Sequence, residues 1–175
     1  MSAHPNPLVV DLDGTLVKSD LLIESILLLL KKNLLFIFLL PIWLLSGKAH
    51  FKYQIASRVQ IDASLLPYNV GLIDYLAEQH EEGRPVVLAT ASSELLANPV
   101  AKHLAIFSNV IASTEDTNFK GDAKANQLNK AYGSGHYDYA GNSNADLAVW
   151  SHARAAILVG VPTGLRRKVE NTVSI

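Results

Sequence analysis

The chain is predicted to be α/β, a Rossmann-like three-layer α/β/α domain on a mostly parallel sheet, with a small helical cap inserted after the first strand. Three observations predict it. Short apolar runs alternate with helix-forming stretches, which calls for a parallel sheet covered by helices on both faces. Polar residues suited to chemistry recur at the carboxyl ends of those runs, where open α/β sheets place their sites. One long apolar stretch without strand character separates the first run from the second. With 175 residues, one domain with a full core is expected, residues 1–20 and 71–175, with residues 21–70 as a small inserted subdomain.

The first strand is expected over Leu8–Leu12, followed by the turn Asp13-Gly14-Thr15. Side chains alternate along a strand, so Asp11 and Asp13 start on one side of the chain, and Gly14 lets the backbone turn behind them. Two carboxylates this close are costly unless a cation or proton separates their charges. Mg2+ selects such hard oxygen ligands. A solvated Asp-x-Asp-Gly turn is the plainer reading of the same residues. Lys18-Ser19-Asp20 suits a helix start, and Leu21–Leu30 follows as a helix apolar on nearly all sides. After Lys31-Lys32-Asn33 the run Leu34–Leu45 carries no charge, and Pro41 is expected to break or kink it. This run is well short of the about 20 apolar residues that a membrane-spanning helix needs. Two outcomes are open for it: a helical hairpin buried on itself and the main domain, or contact with a membrane surface, Trp43 and the flanking lysines lying at headgroup level.

A more amphipathic helix is expected over Lys48–Val59, with Phe51, Ile55 and Val59 four residues apart, and another over Val70–His80. The strand Val86–Ala89 then delivers Thr90-Ala91-Ser92-Ser93 ahead of a helix beginning near Glu94. Hydroxyls and free N–H groups at a helix start make a phosphate cradle, or simply a helix cap. Asn109–Ala112 is the third strand. Lys124 opens the next helix, where it opposes the macrodipole and gains nothing locally, so it is a candidate for an anionic ligand unless it is an ordinary surface lysine. Tyr137–Ala140 leads into Gly141-Asn142-Ser143-Asn144-Ala145-Asp146, then a helix through Trp150 to Ala153, a fifth strand over Ala155–Val159, and a sixth over Thr172–Ile175.

Composition narrows the function classes. Hydrophobic residues make up 49% and charged residues 18%, with a mean hydropathy of +0.19, at the greasy end for a soluble protein. A net charge of -1 gives no electrostatic case for a nucleic-acid partner. The absence of cysteine rules out disulfides and thiolate catalysis. It fits a cytoplasmic protein, the apolar stretch offering contact with the inner face of a membrane. No basic region precedes the first apolar run, so a signal peptide is not expected.

Taken in order, Asp11-Leu12-Asp13-Gly14-Thr15, Thr90, Lys124 and Gly141-Asn142-Ser143-Asn144-Ala145-Asp146 resemble the four motifs of the haloacid dehalogenase superfamily. The resemblance implies a phosphoric monoester hydrolase in which the apolar insertion, residues 21–70, is a cap over the active site. In it, Asp11 is the nucleophile that becomes an aspartyl-phosphate, and Asp13 is the acid and then the base. Thr90 and Ala91 hold the phosphoryl, and Lys124 neutralises it, Lys120 being the weaker alternative. It further implies Mg2+ held by Asp11, Asp13 and the fourth motif, through Asn142 and Asp146. That motif usually has aspartate where Asn142 stands, and losing a charge weakens a hard-cation site. Three readings follow: a working Mg2+ phosphatase, an enzyme with altered metal demand, and a domain that binds without turnover.

A closer resemblance lies in Val10–Leu22, Leu40–Ala49, Leu66-Pro67-Tyr68-Asn69 and Tyr139–Ser143. These look like the dehalogenase-like domain that precedes a UbiA-type membrane prenyltransferase in many bacterial proteins. This implies a small-molecule phosphate substrate, prenyl or otherwise, and docking on such an enzyme or on the membrane through the apolar cap. A soluble sugar phosphate stays open as substrate, and so does a silent regulatory module. The chain has neither the spanning helices nor the aspartate-rich motifs of the prenyltransferase. It reads as a stand-alone relative or an excised domain, and its end at Ile175 inside a predicted strand favours excision.

Overall fold

The structure, a computed structural model, describes residues 6–175. Strands β1 (Leu8–Val10), β2 (Val86–Ser93), β3 (Asn109–Ser113), β4 (Asp138–Gly141) and β5 (Ala155–Leu158) form one all-parallel sheet in the order β3-β2-β1-β4-β5. The chain builds outward from β1 through β2 to β3, then returns to add β4 and β5 on the other side. The crevice where the order reverses lies between β1 and β4, and ligands of open α/β sheets bind outside the carboxyl ends of the strands at such a switch.

Both faces of the sheet are covered, so its strands are continuous apolar runs and not alternating ones. Leu8, Val10, Val86 and Leu88 pack with Leu72 and Leu76 of α4 (Val70–Glu81) and with Leu96 and Val100 of α5 (Glu94–Leu104). Val9, Val87 and Ala89 face the other way, onto Leu128 of α6 (Asp122–Tyr132), Trp150 of α7 (Leu147–Trp150), and Leu165 and Val169 of α8 (Thr163–Glu170). At the amino end of the sheet, Arg84 and Arg154 both pair with the buried Asp138.

A helical insertion follows β1. Its elements are α1 (Leu21–Lys32), a 3-10 turn (Leu34–Phe38), α2 (Leu40–Leu45) and α3 (Lys48–Ala56). Its two ends are stitched together beside β1. The Lys18 N–H donates to the Pro67 carbonyl and the Asn69 N–H to that of Leu16, both at 2.9 Å, with Val17 and Tyr68 bridged between them. Asp20 caps α1 by accepting from the N–H groups of Leu22 and Ile23. The insertion has a small core of its own, Leu29, Trp43 and Ile55, and the Arg58 guanidinium lies over the Trp43 ring. No described helix is long and apolar enough to cross a membrane.

The structure differs from the sequence expectation in three places. Thr172–Ile175 is not a sixth strand: the Thr172 and Val173 N–H groups both close onto the Val169 carbonyl at the end of α8, so only Ser174 bridges to β5. The run Leu34–Leu45 does break ahead of Pro41, into the 3-10 turn and α2, and Pro41 sits in the first turn of α2, where its missing N–H costs nothing. The third helix stops at Ala56, leaving Val59 beyond it. The buried hairpin also fails as an account of the insertion, because eleven of the fifteen exposed large apolar side chains among the described residues lie between Ile23 and Leu45.

Candidate active site

β1 ends at Val10, and the next residues bring their carboxylates to the switch crevice. The Asp11 N–H still pairs with the Ala140 carbonyl of β4 at 2.9 Å, which holds Asp11 at the sheet edge of the crevice. Gly14 has φ +75°, and a Cβ there would collide with the Asn142 side-chain amide. Glycine is thus required both by the turn and by the close approach of the loop after β4. The cavity at this end measures about 330 Å³ and is lined by Asp11, Asp13, Lys124, Asn142 and Asp146, with Ala91 and Ser92 from β2 and Lys120 and Gly121 ahead of α6.

Asp11 and Lys124 are both buried, and the ammonium donates to Asp11 Oδ1 at 2.6 Å. The same ammonium reaches the Tyr139 hydroxyl at 2.9 Å, which in turn donates to Asp146 Oδ1 at 2.7 Å. Asp11 Oδ2 has only the Thr15 hydroxyl, at 3.5 Å, and is the less engaged of its two oxygens. Burial pushes the Asp11 carboxyl up to about 6, against the pull of Lys124 and with some help from Asp146. Burial likewise raises the Tyr139 phenol well above its ordinary value.

Asp13 is gripped from two sides. Its Oδ1 accepts from the Leu21 N–H at 2.8 Å, and its Oδ2 accepts from the Ser92 hydroxyl at 2.6 Å and, more weakly, from that of Thr90 at 3.4 Å. Burial raises its pKa, and the Ser92 and Leu21 donors oppose that shift without cancelling it. Thr90 is fully buried behind the cavity wall, where its Oγ1 also accepts from the Ser92 N–H at 2.9 Å.

Asp146 has a different task from Asp11. Its Oδ2 accepts from the N–H groups of Asn142 and Ser143 and from the Ser143 hydroxyl, all at 3.0–3.1 Å, so both its oxygens already serve the chain. A Cβ on Gly141 would meet the Asp146 carboxyl at 2.8 Å, which is why this loop begins with glycine. Asp146 lies 3.8 Å from the Lys124 ammonium. Among the described residues no three His, Cys, Asp or Glu side chains group as a metal-binding set. The available donors are one lightly engaged carboxylate oxygen on Asp11, the backbone carbonyl of Asp13 and the amide oxygen of Asn142. That all-oxygen set with one carboxylate suits Mg2+, which keeps several waters and takes one or two carboxylates.

Three contributors escaped the sequence reading. Ser92 stood in the quoted hydroxyl run, and its position two residues after Thr90 on a strand was the signal that both could face Asp13. Lys52 of α3 carried no signal: its ammonium crosses to the Ala91 carbonyl at 2.6 Å and to Asn118 Oδ1 at 2.9 Å, and it lines the cavity. Burial lowers its pKa. Tyr139 looked like core and is also the bridge between Lys124 and Asp146.

The family model for haloacid dehalogenase-like hydrolases matches residues 8–150, which include every one of these cavity residues. The chain belongs to that family. An uncharacterized protein of Sinorhizobium fredii, y4nM, is 32% identical over 155 residues, covering 88% of this chain and 30% of that protein, so the chain spans about a third of that relative's length. A protein of unknown function from Bordetella pertussis superposes with a TM-score of 0.71 at 14% identity, over 99% of each chain. A substrate-bound phosphoserine phosphatase does so with a TM-score of 0.68 at 14% identity, over 99% of this chain and 94% of its own. At that identity the likeness is one of fold. None of these proteins is named as a prenyltransferase, and the resemblance to that fusion rests on the sequence phrases alone.

Proposed function

We propose that this hydrolase is an Mg2+-dependent phosphomonoesterase working through an aspartyl-phosphate on Asp11. The observation that carries the reading is the asymmetry of the two carboxyls. Asp11 is held through one oxygen by Lys124 with the other lightly engaged at the cavity, while the half-buried Asp13 accepts hydrogen bonds on both oxygens, from the Leu21 N–H and the Ser92 hydroxyl. The lightly engaged oxygen supports the nucleophile's role for Asp11, and the fixed orientation of Asp13 supports the acid's.

Asp11 attacks phosphorus and the ester P–O bond breaks, with Asp13 giving its proton to the departing alcohol oxygen. Asp13, now a carboxylate, takes a proton from water, and that water's oxygen displaces Asp11 from phosphorus, releasing phosphate. Lys124 offsets the charge on the transferring phosphoryl, and the backbone beside Thr90 and Ala91 is the surface against which it rests. Mg2+, when bound by Asp11, Asp13 and Asn142, supplies charge neutralisation between nucleophile and phosphate. Asp146 serves by shaping the Asn142 loop.

Residues 21–70 act as a cap over a core of 1–20 and 71–175 in this reading, supported by the stitched ends of the insertion and by Lys52 at the cavity. The fold shared with a phosphoserine phosphatase supports a small phosphate ester as substrate, and the charged lining supports a polar reacting end. A prenyl or other lipid phosphate is the finer version, its hydrocarbon outside this cavity. The exposed apolar insertion and the neutral Asn142 favour a second reading, a silent docking domain of a membrane prenyltransferase. Phosphate release from a panel of soluble and prenyl phosphates, with and without Mg2+ and with Asp11→Asn as the blank, separates them. Mg2+-dependent release lost in the variant supports the enzyme; silence across the panel supports the docking domain.

A further inference from the structure

The insertion concentrates two properties that the rest of the chain lacks. The first is exposed apolar surface. Ile23 and Leu27 stand one turn apart on an open face of α1, Leu34 and Phe38 continue it on the 3-10 turn, and Leu45 at the end of α2 is 88% exposed. So many exposed apolar side chains within one short segment mark an interaction site, since water-facing monomers rarely cluster them.

The second property is charge. From Ser25 to Ile61 the sequence has five cationic side chains and no carboxylate, leaving ten cations to balance sixteen carboxylates over the rest of the chain. Lys31 and Lys32 flank the apolar run on one side and Lys48 on the other, all three exposed. Lys52 and Arg58 are used elsewhere, at the cavity and over Trp43. Acid-free apolar segments with lysines at their ends match an anionic interface of headgroups and acyl chains.

That charge pattern decides among occupants. A second copy of the chain, docked face to face, would set the lysines of both copies around one apolar patch with no carboxylate in either stretch to offset them. A lipid surface offers both the anions and the hydrocarbon, and it demands no shape complementarity from segments this short. With no described helix long enough to cross, the geometry is that of an element lying on the surface.

We propose that the face formed by α1, the 3-10 turn and α2 docks the protein on an anionic lipid surface. The proposal does not depend on the phosphatase reading, because binding is measured without turnover.

The test is co-sedimentation of the full chain with vesicles of phosphatidylcholine alone and of phosphatidylcholine mixed with phosphatidylglycerol. Binding to the mixed vesicles about tenfold tighter or more, weakening as salt is raised, is the expected result. Phe38→Glu with Leu45→Glu removes binding, and Lys31→Glu with Lys32→Glu removes the preference for anionic vesicles. All four side chains are exposed, so the melting temperature of each double variant reports that it still folds. Three results overturn the proposal: protein left in the supernatant with both vesicles, equal binding to both, or a concentration-dependent dimer in ultracentrifugation that the Phe38 and Leu45 changes abolish while vesicles go unbound.

Discussion

Leu88 in β2 and Leu45 at the end of α2 are the same side chain in two unlike settings. The first is fully buried between strands and helices, and the second is 88% exposed at the edge of an insertion whose own core is three residues. The sheet region uses its apolar residues to exclude water from both faces, which leaves the strand ends rigid enough to hold Asp11 against Lys124 and Asp13 against Ser92. The insertion uses most of its apolar residues otherwise and contributes Leu22, Lys52 and the Leu21 N–H to the cavity and its carboxyls. Apolar content therefore reports two different things in one chain: in the sheet it is stability, and in the insertion it is surface available to something else.

The comparison breaks most easily in the sheet. Leu88→Ala should destabilise by about 2–5 kcal/mol, since the close-packed surroundings collapse only partly onto the cavity left behind. Thermal melts followed by circular dichroism read this directly. A loss below about 1 kcal/mol would mean that the two regions are not packed as differently as described.

The site itself is expected to carry a stability cost. Asp11 holds its proton up to about 6 in the folded state, against 3.8 for an unperturbed aspartate. Its contribution to folding is therefore whole below pH 3.8 and lost as pH rises through about 6. At pH 7 the metal-free protein keeps an ionised carboxylate that its surroundings disfavour. Asp11→Asn should then stabilise the metal-free protein at pH 7 by at most about 3 kcal/mol, read as a higher melting temperature, with the gain shrinking towards pH 4. Lys124 loses its closest partner in the variant but keeps the Tyr139 hydroxyl. A variant less stable than wild type at pH 7 would show that the lost ion pair outweighs the relieved burial.

How much of this was legible follows from what each part depends on. The parallel sheet was legible because buried strands are local runs, and three of the four motif positions because they sit at or near a strand's carboxyl end. The Asp11–Lys124 contact spans 113 residues, yet both partners had local grounds for notice: a paired carboxylate, and a lysine badly placed at a helix start. Lys52 had none, since only the folding back of α3 takes it to Ala91 and Asn118. The hydrogen bonds of Asp146 to its own loop were hidden because a carboxylate that caps a loop looks the same in sequence as one that binds metal. The sixth strand failed on hydrogen bonding: α8 claims the N–H groups that a ladder from Thr172 would need.

Ser92→Ala sharpens the account of Asp13. The hydroxyl donates to the carboxylate and, turned about its Cβ–Oγ bond, can accept from the carboxylic acid, so it holds Asp13 in both halves of the cycle. Its loss should lower kcat by about 10–100-fold for an alkyl phosphate and less for p-nitrophenyl phosphate, whose leaving group needs little protonation. Ser92→Thr should restore part of the rate. An equal loss for both esters would reduce Ser92 to a packing residue. The smallest effect belongs to the insertion: Leu45→Ser should change stability by no more than about 0.5 kcal/mol, which a melt or a denaturant titration checks.

The central claim concerns a covalent bond to one oxygen of Asp11. Acid quenching of the protein during turnover of a phosphate ester, followed by mass spectrometry of the peptide that carries residues 8–17, locates the phosphoryl group. Phosphate on Asp11, absent from the Asp11→Asn protein, is the predicted result. A protein that turns over the ester with phosphate on Asp13, on another side chain or on none would contradict it.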